Sequence, residues 1–504
     1  MAWFGEAVIP RKAIRTVRWH LSWRQNGDNL DVGLVANRLL THGHPAWWCL
    51  QPSGDLEAGD YLVEAPPDLG ERLLGIGISA ARRSGPLPGG ARRLAPPRIA
   101  LLAGRASAYP YFAYYALCLI RLGLAYDPVD GASVAAGALE DANLFVLPGG
   151  FAIWGLDQAE GVAGADAAAR AFLRGGGACI GSCGGAYYLS AGRPGWTGTA
   201  WARPRYTHEY LQSGTGIVAL SLAKTPLGLG CPRTIEVPYY HGPVYEEIGP
   251  GLTVAATFRA LSLPGRLGID NRLRARRFAD EMAGRPAALF ADGRRGRAVL
   301  FSPHPEMGDL VRKYVALDGY VRKYLPIRGR QTMEETLLAY RPLESPAFRL
   351  ILNAAHVLLR TCRGGPWASE AEIAAGRLDP RGPLTHLRRF QRAAIEALRM
   401  VRTSGATPYD QVVHTVAADL GRRLGAAAER LADAFRTGDL AAPEEGGRLL
   451  CAWNHLAESG TAGLRGVCQA KCPAAEVLMQ VELALCLWDA WHRVLAVEQA
   501  VRGS

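Results

Sequence analysis

The stretch Ala178-Cys179-Ile180-Gly181-Ser182-Cys183-Gly184-Gly185-Ala186-Tyr187-Tyr188-Leu189 constrains this chain more than any other. It opens on a short apolar run, closes on a helix-like run, and holds one cysteine among glycines between them. That is the composition of a tight strand-to-helix turn presenting a nucleophile. Gly181 and Gly185 remove Cβ atoms where a strained turn and close helix–strand packing leave no room. Gly184 leaves space for a substrate atom beside the backbone N–H that follows Cys183. The pattern has the logic of the G-x-S-x-G elbow, with a thiol in place of the hydroxyl. A backbone N–H at a helix start also favours a thiolate. The alternative is a glycine-rich turn around a buried, inert cysteine, and the segment alone does not separate the two.

The surroundings of the elbow point to an α/β domain. Ile99-Ala100-Leu101-Leu102, Leu124 to Val129, Leu144-Phe145-Val146-Leu147 and Cys179-Ile180 read as short buried strands. Pro110 to Leu122 and Ala165 to Arg174 read as helices between them. Short apolar strands alternating with helices imply a parallel sheet covered on both faces. Sites in such sheets lie beyond the carboxyl ends of the strands. Gly149-Gly150 and Cys183 both fall at such ends, so two glycine-bearing loops can offer two backbone N–H groups to an oxyanion. A later strand, Ala298 to Ser302, runs into Pro303-His304-Pro305-Glu306. Residues two apart in an extended segment point the same way. The Glu306 carboxylate can therefore orient the His304 imidazole, which can take a thiol proton. A solvated loop histidine is the plainer reading of this tripeptide taken alone.

Leu147-Pro148-Gly149-Gly150, then G-S-C-G-G-A-Y, then S-P-H-P-E, in that order, resemble class I glutamine amidotransferase-like domains. The subgroup they are most similar to was first described as the N-terminal domain of certain biotin-protein ligases. Its cues are Ala186-Tyr187 after the elbow and Tyr239-Tyr240-His241-Gly242-Pro243 before the last strands. The resemblance covers about residues 97–314 and implies a flavodoxin-like parallel-sheet fold. It also implies Cys183 as nucleophile, His304 as base, Glu306 as its orienter, and Gly150 and Gly184 as oxyanion donors, with Gly149 and Tyr187 at the substrate. There is one departure. Glutamine-using members carry a glutamine four residues after the nucleophile, where this chain has Tyr187. A phenol there narrows the pocket, so weak or absent activity on free glutamine is expected. No phosphate-binding loop, synthetase domain or biotin-ligase catalytic domain is recognisable in these 504 residues, so biotinylation is not expected.

The flanks read differently. In Thr16 to Arg24 the apolar residues Val17, Trp19, Leu21 and Trp23 alternate, as in a half-buried strand. Asn29 or Asp31 can cap a helix through Leu40. Ala46 to Leu50 and Tyr61 to Glu64 are further strands, and Pro67 to Ala81 looks helical. A Gly/Pro-rich segment, 83–90, closes this unit as a linker. From Glu334 onward Leu387, Phe390, Ala394, Leu398 and Val401 follow helical spacing, as do Val413, Val416, Leu420, Leu424, Leu431 and Phe435. Val477 to Val497 is another such run, and antiparallel helices are expected. The predicted division is a small α/β unit over 1–90, the amidotransferase-like domain over 97–325 and a helical domain over 334–504.

Two spacings in the helical region touch metal chemistry. Cys451-x-x-x-His455 and Cys468-x-x-x-Cys472 each place two soft ligands on one helical face. Together they would make a Cys3His zinc set. Small buried cysteines and a surface histidine are the preferred reading, so neither metal nor any other cofactor is expected.

With 49% hydrophobic and 20% charged residues the chain is globular. The net charge of +11 raises nucleic acid as a partner. Its arginines are spread along the chain, with clusters at 272–277 and 294–297 that lack interleaved aromatics, so no nucleic acid is expected. No apolar run is long and clean enough to span a bilayer, and Met1 to Arg15 lacks a signal-peptide core. A cytoplasmic protein acting on a small amide-containing substrate is expected, with the helical region covering the site or recruiting a protein partner. The competing expectation is a binding or scaffold protein that keeps the fold without turnover.

Overall fold

The computed structural model describes residues 16–150, 154–205, 213–266, 271–293, 296–359, 382–401, 407–437 and 443–502. The first strands build a small antiparallel sheet from β1 (Val17–Leu21), β2 (Ala46–Cys49), β3 (Tyr61–Ala65), β4 (Ala81–Arg83) and β5 (Ala91–Arg93). Their order is β4-β1-β3-β2-β5. Trp19 and Leu21 of β1 are buried in the same core as the helix Asp31–Thr41, as the alternation predicts. Asn29 Oδ1 accepts the Asp31 N–H at 2.9 Å at the start of that helix. The Gly/Pro-rich segment 83–90 is not an exit from this unit. It joins β4 to β5, the two opposite edges of the sheet, so the sheet takes its last strand from beyond residue 90. The helix expected over 67–81 is shorter, Leu69–Gly75, because the chain must turn and supply β4.

The main sheet has nine strands. They are β6 (Ile99–Leu102), β7 (Tyr126–Val129), β8 (Leu144–Leu147), β9 (Ala178–Ser182), β11 (Thr215–Leu222), β12 (Thr234–Tyr240), β14 (Leu252–Pro264), β15 (Pro286–Gly293) and β16 (Gly296–Phe301). The order is β12-β11-β14-β15-β16-β9-β8-β6-β7. From β16 to β7 all pairs are parallel, which is the flavodoxin-like α/β half the sequence predicts. The remaining pairs are antiparallel, an extension the sequence reading does not foresee. β10 (Ala202–Pro204) and β13 (Tyr245–Ile248) form a separate ribbon.

Alternation along the parallel strands feeds two core layers. Ile99, Leu101, Val146, Ile180 and Val299 face one layer, while Ala100, Leu102, Phe145, Cys179 and Leu300 face the other. The helix Tyr111–Arg121 packs in the first layer and Ala165–Arg174 in the second. Both faces are covered, so the strands are apolar on both sides.

Four long helices follow: Gly382–Val401, Pro408–Thr437, Pro443–Gln469 and Ala474–Arg502. The last is buried on nearly all sides because it lies between the other long helices and the body of the molecule. Three buried charge clusters tie it down. Glu482 meets Lys313 at 2.6 Å, Arg493 meets Asp31 at 2.5 Å, and Glu498 meets Arg38 at 2.8 Å and His42 at 2.6 Å. Among the described residues no helix is long and apolar enough to cross a membrane.

Candidate active site

Cys183 stands between β9 and the helix Gly184–Leu189 with φ 50° and ψ −104°. A side chain rarely adopts such a backbone, which costs about 1–3 kcal/mol and persists only where the surroundings impose it. Here they do. A Cβ on Gly185 would lie 2.1 Å from the Leu147 carbonyl oxygen, and one on Gly181 would lie 2.6 Å from the Gly185 carbonyl carbon. The helix therefore sits directly on β8 and β9, and the chain can enter it only through a sharp turn. The Cys183 N–H donates to Phe301 O at 2.9 Å, and Cys183 O accepts from the Tyr187 N–H at 2.9 Å. These bonds pin the turn from both sides.

His304 arrives from the neighbouring strand. β16 runs parallel to β9 with Phe301 opposite Ser182, so the segment after it starts beside the elbow. The His304 N–H donates to Pro238 O at 2.8 Å. Pro305–Met307 then forms one 3-10 turn, so Glu306 reaches His304 through a turn and not through the extended segment the spacing implied. The His304 Nδ1–Glu306 Oε1 distance is 2.6 Å, with both side chains about 1% exposed. Glu306 Oε2 accepts from Ser182 Oγ at 2.9 Å. Burial alone would lower the proton affinity of His304. The Glu306 charge, and after it Cys183, outweigh burial and push the pKa up to about 10. The imidazolium is therefore the favoured form.

Cys183 Sγ is 4% exposed in the residue as a whole and donates to Tyr240 O at 3.0 Å. The contact with His304 is looser. Nε2 makes no hydrogen bond of good geometry among the described residues, yet Cys183 is near enough to raise the proton affinity of His304. Catalytic hydrogen bonds are often long before substrate binds. The Tyr240 ring lies 6.4 Å from the His304 ring and 6.2 Å from that of Tyr111.

Gly149 lies over this pair. A Cβ there would stand 2.8 Å from His304 Cε1 and 3.4 Å from Cys183 Cβ. Gly150 follows with φ 117°, close to Ala106 O, and Gly184 opens the helix after Cys183. Cys183, His304, Glu306 and Gly149 thus meet, with Gly150 and Gly184 alongside. Tyr187 is placed differently. Its ring is fully buried in the second core layer, 5.8 Å from the Trp196 ring. Ser182 and Tyr240 lie within motifs quoted from the sequence, but the sequence reading gave neither a role at the site.

The soft-ligand pairs are not assembled. Cys451 and Cys468 share the helix Pro443–Gln469, which separates them by about 25 Å at 1.5 Å per residue. That helix stops at Gln469, so Cys468 and Cys472 do not share one helical face. The His455 ring packs on Phe112 at 5.2 Å. Among the described residues no group of three or more His, Cys, Asp or Glu side chains could hold a metal ion. The arginine cluster at 272–277 lines a cavity of about 570 Å³ together with Asp280 and Glu281. Arg272 meets Asp318 at 3.1 Å, Arg276 meets Asp280 at 3.5 Å and Arg277 meets Glu281 at 3.7 Å, so much of its charge is answered locally. Residues 294–295 of the second arginine cluster lie outside the described residues.

No family model matches the chain, and no curated protein sequence matches it. Solved structures similar to parts of it include a glutamine amidotransferase at 20% identity, covering 41% of this chain and 90% of that one with a TM-score of 0.27. A glutamine amidotransferase from Thermotoga maritima is 14% identical over 52% of this chain and 98% of its own, with a TM-score of 0.32. A ThuA-like protein from Bacteroides uniformis is 12% identical over 55% and 95%, with a TM-score of 0.30. The chemistry of the site has to come from the residues of this chain.

Proposed function

We propose that this chain is a cysteine-dependent hydrolase or transferase of carbon–nitrogen amide bonds, of the class I glutamine amidotransferase-like type. Cys183 is the nucleophile, His304 the general base and acid, and Glu306 its orienter. The observation that carries the reading is the buried His304–Glu306 pair at 2.6 Å, set beside a cysteine on a strained elbow. Cys183 reacts as the thiolate of a thiolate–imidazolium pair, its proton held on His304. The thiolate forms a C–S bond to the substrate carbonyl carbon, and the carbonyl electron pair moves onto oxygen, where the N–H groups of Gly150 and Gly184 stabilise it. Collapse breaks the C–N bond, and His304 gives its proton to the leaving amine. Water, deprotonated by His304, then cleaves the thioester, releasing a carboxylic acid and restoring the thiol.

The finer assignment is the biotin-protein ligase N-terminal subgroup, on the likeness of Ala186-Tyr187 and of Tyr239–Pro243 to its motifs. The substrate is a small amide-containing molecule. A cytoplasmic setting suits a thiol nucleophile, and the helical region is the surface for a protein partner.

A scaffold without turnover is the second reading. The near-complete burial of Cys183 and its bond to Tyr240 O favour it. Mass spectrometry of the protein incubated with a metabolite pool separates the two. A covalent acyl adduct on Cys183, absent in Cys183→Ala, supports the enzyme and identifies the donor. Cys183 ranking among the slowest thiols toward iodoacetamide, in wild type and in His304→Ala alike, supports the scaffold.

A further inference from the structure

Two hydroxyl groups at the base have no part in the scheme above. Ser182 Oγ donates to Glu306 Oε2 at 2.9 Å, and Tyr115 OH lies 2.5 Å from Ser182 Oγ. The direction of the chain follows from chemistry. An ionised carboxylate only accepts, and a serine hydroxyl has one proton to give. Ser182 spends that proton on Glu306, so Tyr115 must donate to Ser182. Tyr115, Ser182, His304 and Glu306 are all 0–1% exposed, so bulk water does not replace a missing donor.

We propose that Ser182 and Tyr115 are positioning residues for the base, a one-way hydrogen-bond chain that holds the Glu306 carboxylate against His304 Nδ1 and so turns Nε2 toward Cys183. The proposal rests on the acyl-cysteine reading of the same site. Three separate elements meet in this chain. Ser182 ends the nucleophile strand β9, Glu306 follows β16, and Tyr115 sits on the helix Tyr111–Arg121. With Oε1 bonded to His304 and Oε2 to Ser182, the carboxylate has no freedom to rotate. The tautomer of the ring is thereby set, with Nδ1–H toward Glu306. Burial and the Glu306 charge hold the Tyr115 phenol well above its ordinary pKa, so it keeps the proton it donates.

The titratable groups around Glu306 are few. His304 and Cys183 lie on one side, and Tyr114, Tyr115 and Cys118 of the helix Tyr111–Arg121 feel its charge from the other. His241, after β12, is pushed down to about 4 by burial and stays neutral at the pH values used below. A buried carboxylate that loses a donor takes up a proton more readily, and once neutral it no longer supports the imidazolium. The acid limb of Cys183 reactivity therefore reports the donors.

The test is the pH dependence of iodoacetamide alkylation of Cys183 in the full chain, read by peptide mapping. Ser182→Ala should move the acid limb up by about one pH unit, which is about a tenfold slower reaction on that limb, with little change at pH 8. Tyr115→Phe should move it in the same direction by less, since Ser182 can still donate. Ser182→Thr keeps a hydroxyl and should retain the wild-type limb. Hydroxyls that merely satisfy each other in the core would change thermal stability without moving the limb. Should Ser182→Ala fail to fold, Tyr115→Phe carries the test. A fast wild-type Cys183 with an unmoved limb in both Ser182→Ala and Tyr115→Phe overturns this proposal alone. A slow wild-type Cys183 overturns it together with the acyl-cysteine reading.

Discussion

Glu306 and Glu482 are both about 1% exposed and both sit in hydrogen-bonded networks, yet the networks end differently. Glu482 receives Lys313 Nζ at 2.9 and 2.6 Å and Tyr314 OH at 2.6 Å, with Arg423 at 3.5 Å. Its partners include a lysine and an arginine, and its oxygens are saturated. Glu306 is paired instead with an imidazole that can give its proton away and whose other nitrogen has no well-formed bond. The first network closes on itself and fastens the C-terminal helix to the helix Gly308–Ala316. The second stops one atom short of closure, beside Cys183. A closed buried network leaves nothing over, while an open one leaves a group that a ligand or a proton transfer can complete.

The comparison can be broken most forcefully at Glu482. Glu482→Ala strands Lys313 in the core, and its expected cost is about 3–5 kcal/mol in denaturant unfolding. Replacing both partners, with Lys313→Met and Glu482→Leu together, should recover most of that, because no charge is then left buried. A full loss in the double variant would show that the ion pair itself stabilises the fold.

Next in size is the reactive side. Cys183 should alkylate faster than the other cysteines at mildly acidic pH, and His304→Ala should slow it by about 100-fold at pH 6, toward the thiolate fraction of an ordinary thiol. Glu306→Gln should slow it less, since it removes the orienting charge but leaves the ring. Equal rates in wild type and His304→Ala would make this network as closed as the other.

Gly149→Ala sharpens the comparison by adding one methyl group where the loop rests on His304. With 2.8 Å to His304 Cε1, the imidazole must shift. About 1–3 kcal/mol of stability should be lost through overpacking, and alkylation of Cys183 should fall. The same substitution at Gly466, where a Cβ meets nothing within 4 Å, serves as the control.

A further effect concerns pH. His304 binds its proton more tightly folded, near 10, than unfolded, near 6.5. The stability it contributes is complete below about pH 6.5 and is lost as pH rises toward 10. Chemical unfolding at pH 6, 8 and 9.5 should show a decline that His304→Gln flattens. An equal slope in both proteins would mean that the imidazole is neutral when folded.

The residues that meet at the site were legible where the signal was local. Strand-ending glycines, a cysteine between them and a histidine after a strand end all report what the next few residues must do. Tyr187 marks the limit of that reading. Its spacing from Cys183 was plain, but only packing decided that its ring faces Trp196 in the core. The two soft-ligand spacings show the same limit, since helix ends and helix length, not residue intervals, decide whether two pairs can converge.

What the sequence by itself determined is the parallel half of the sheet, the elbow and the order in which Cys183 and His304 enter. These follow from side-chain periodicity and backbone sterics, which act within a few residues. The tertiary structure alone decided the antiparallel extension, the Tyr240 contact, the Ser182–Tyr115 chain and the Lys313–Glu482 lock. Those partners lie 57, 67 and 169 residues apart in the chain. No local pattern encodes such pairs, because a buried polar group accepts any donor that packing brings to it.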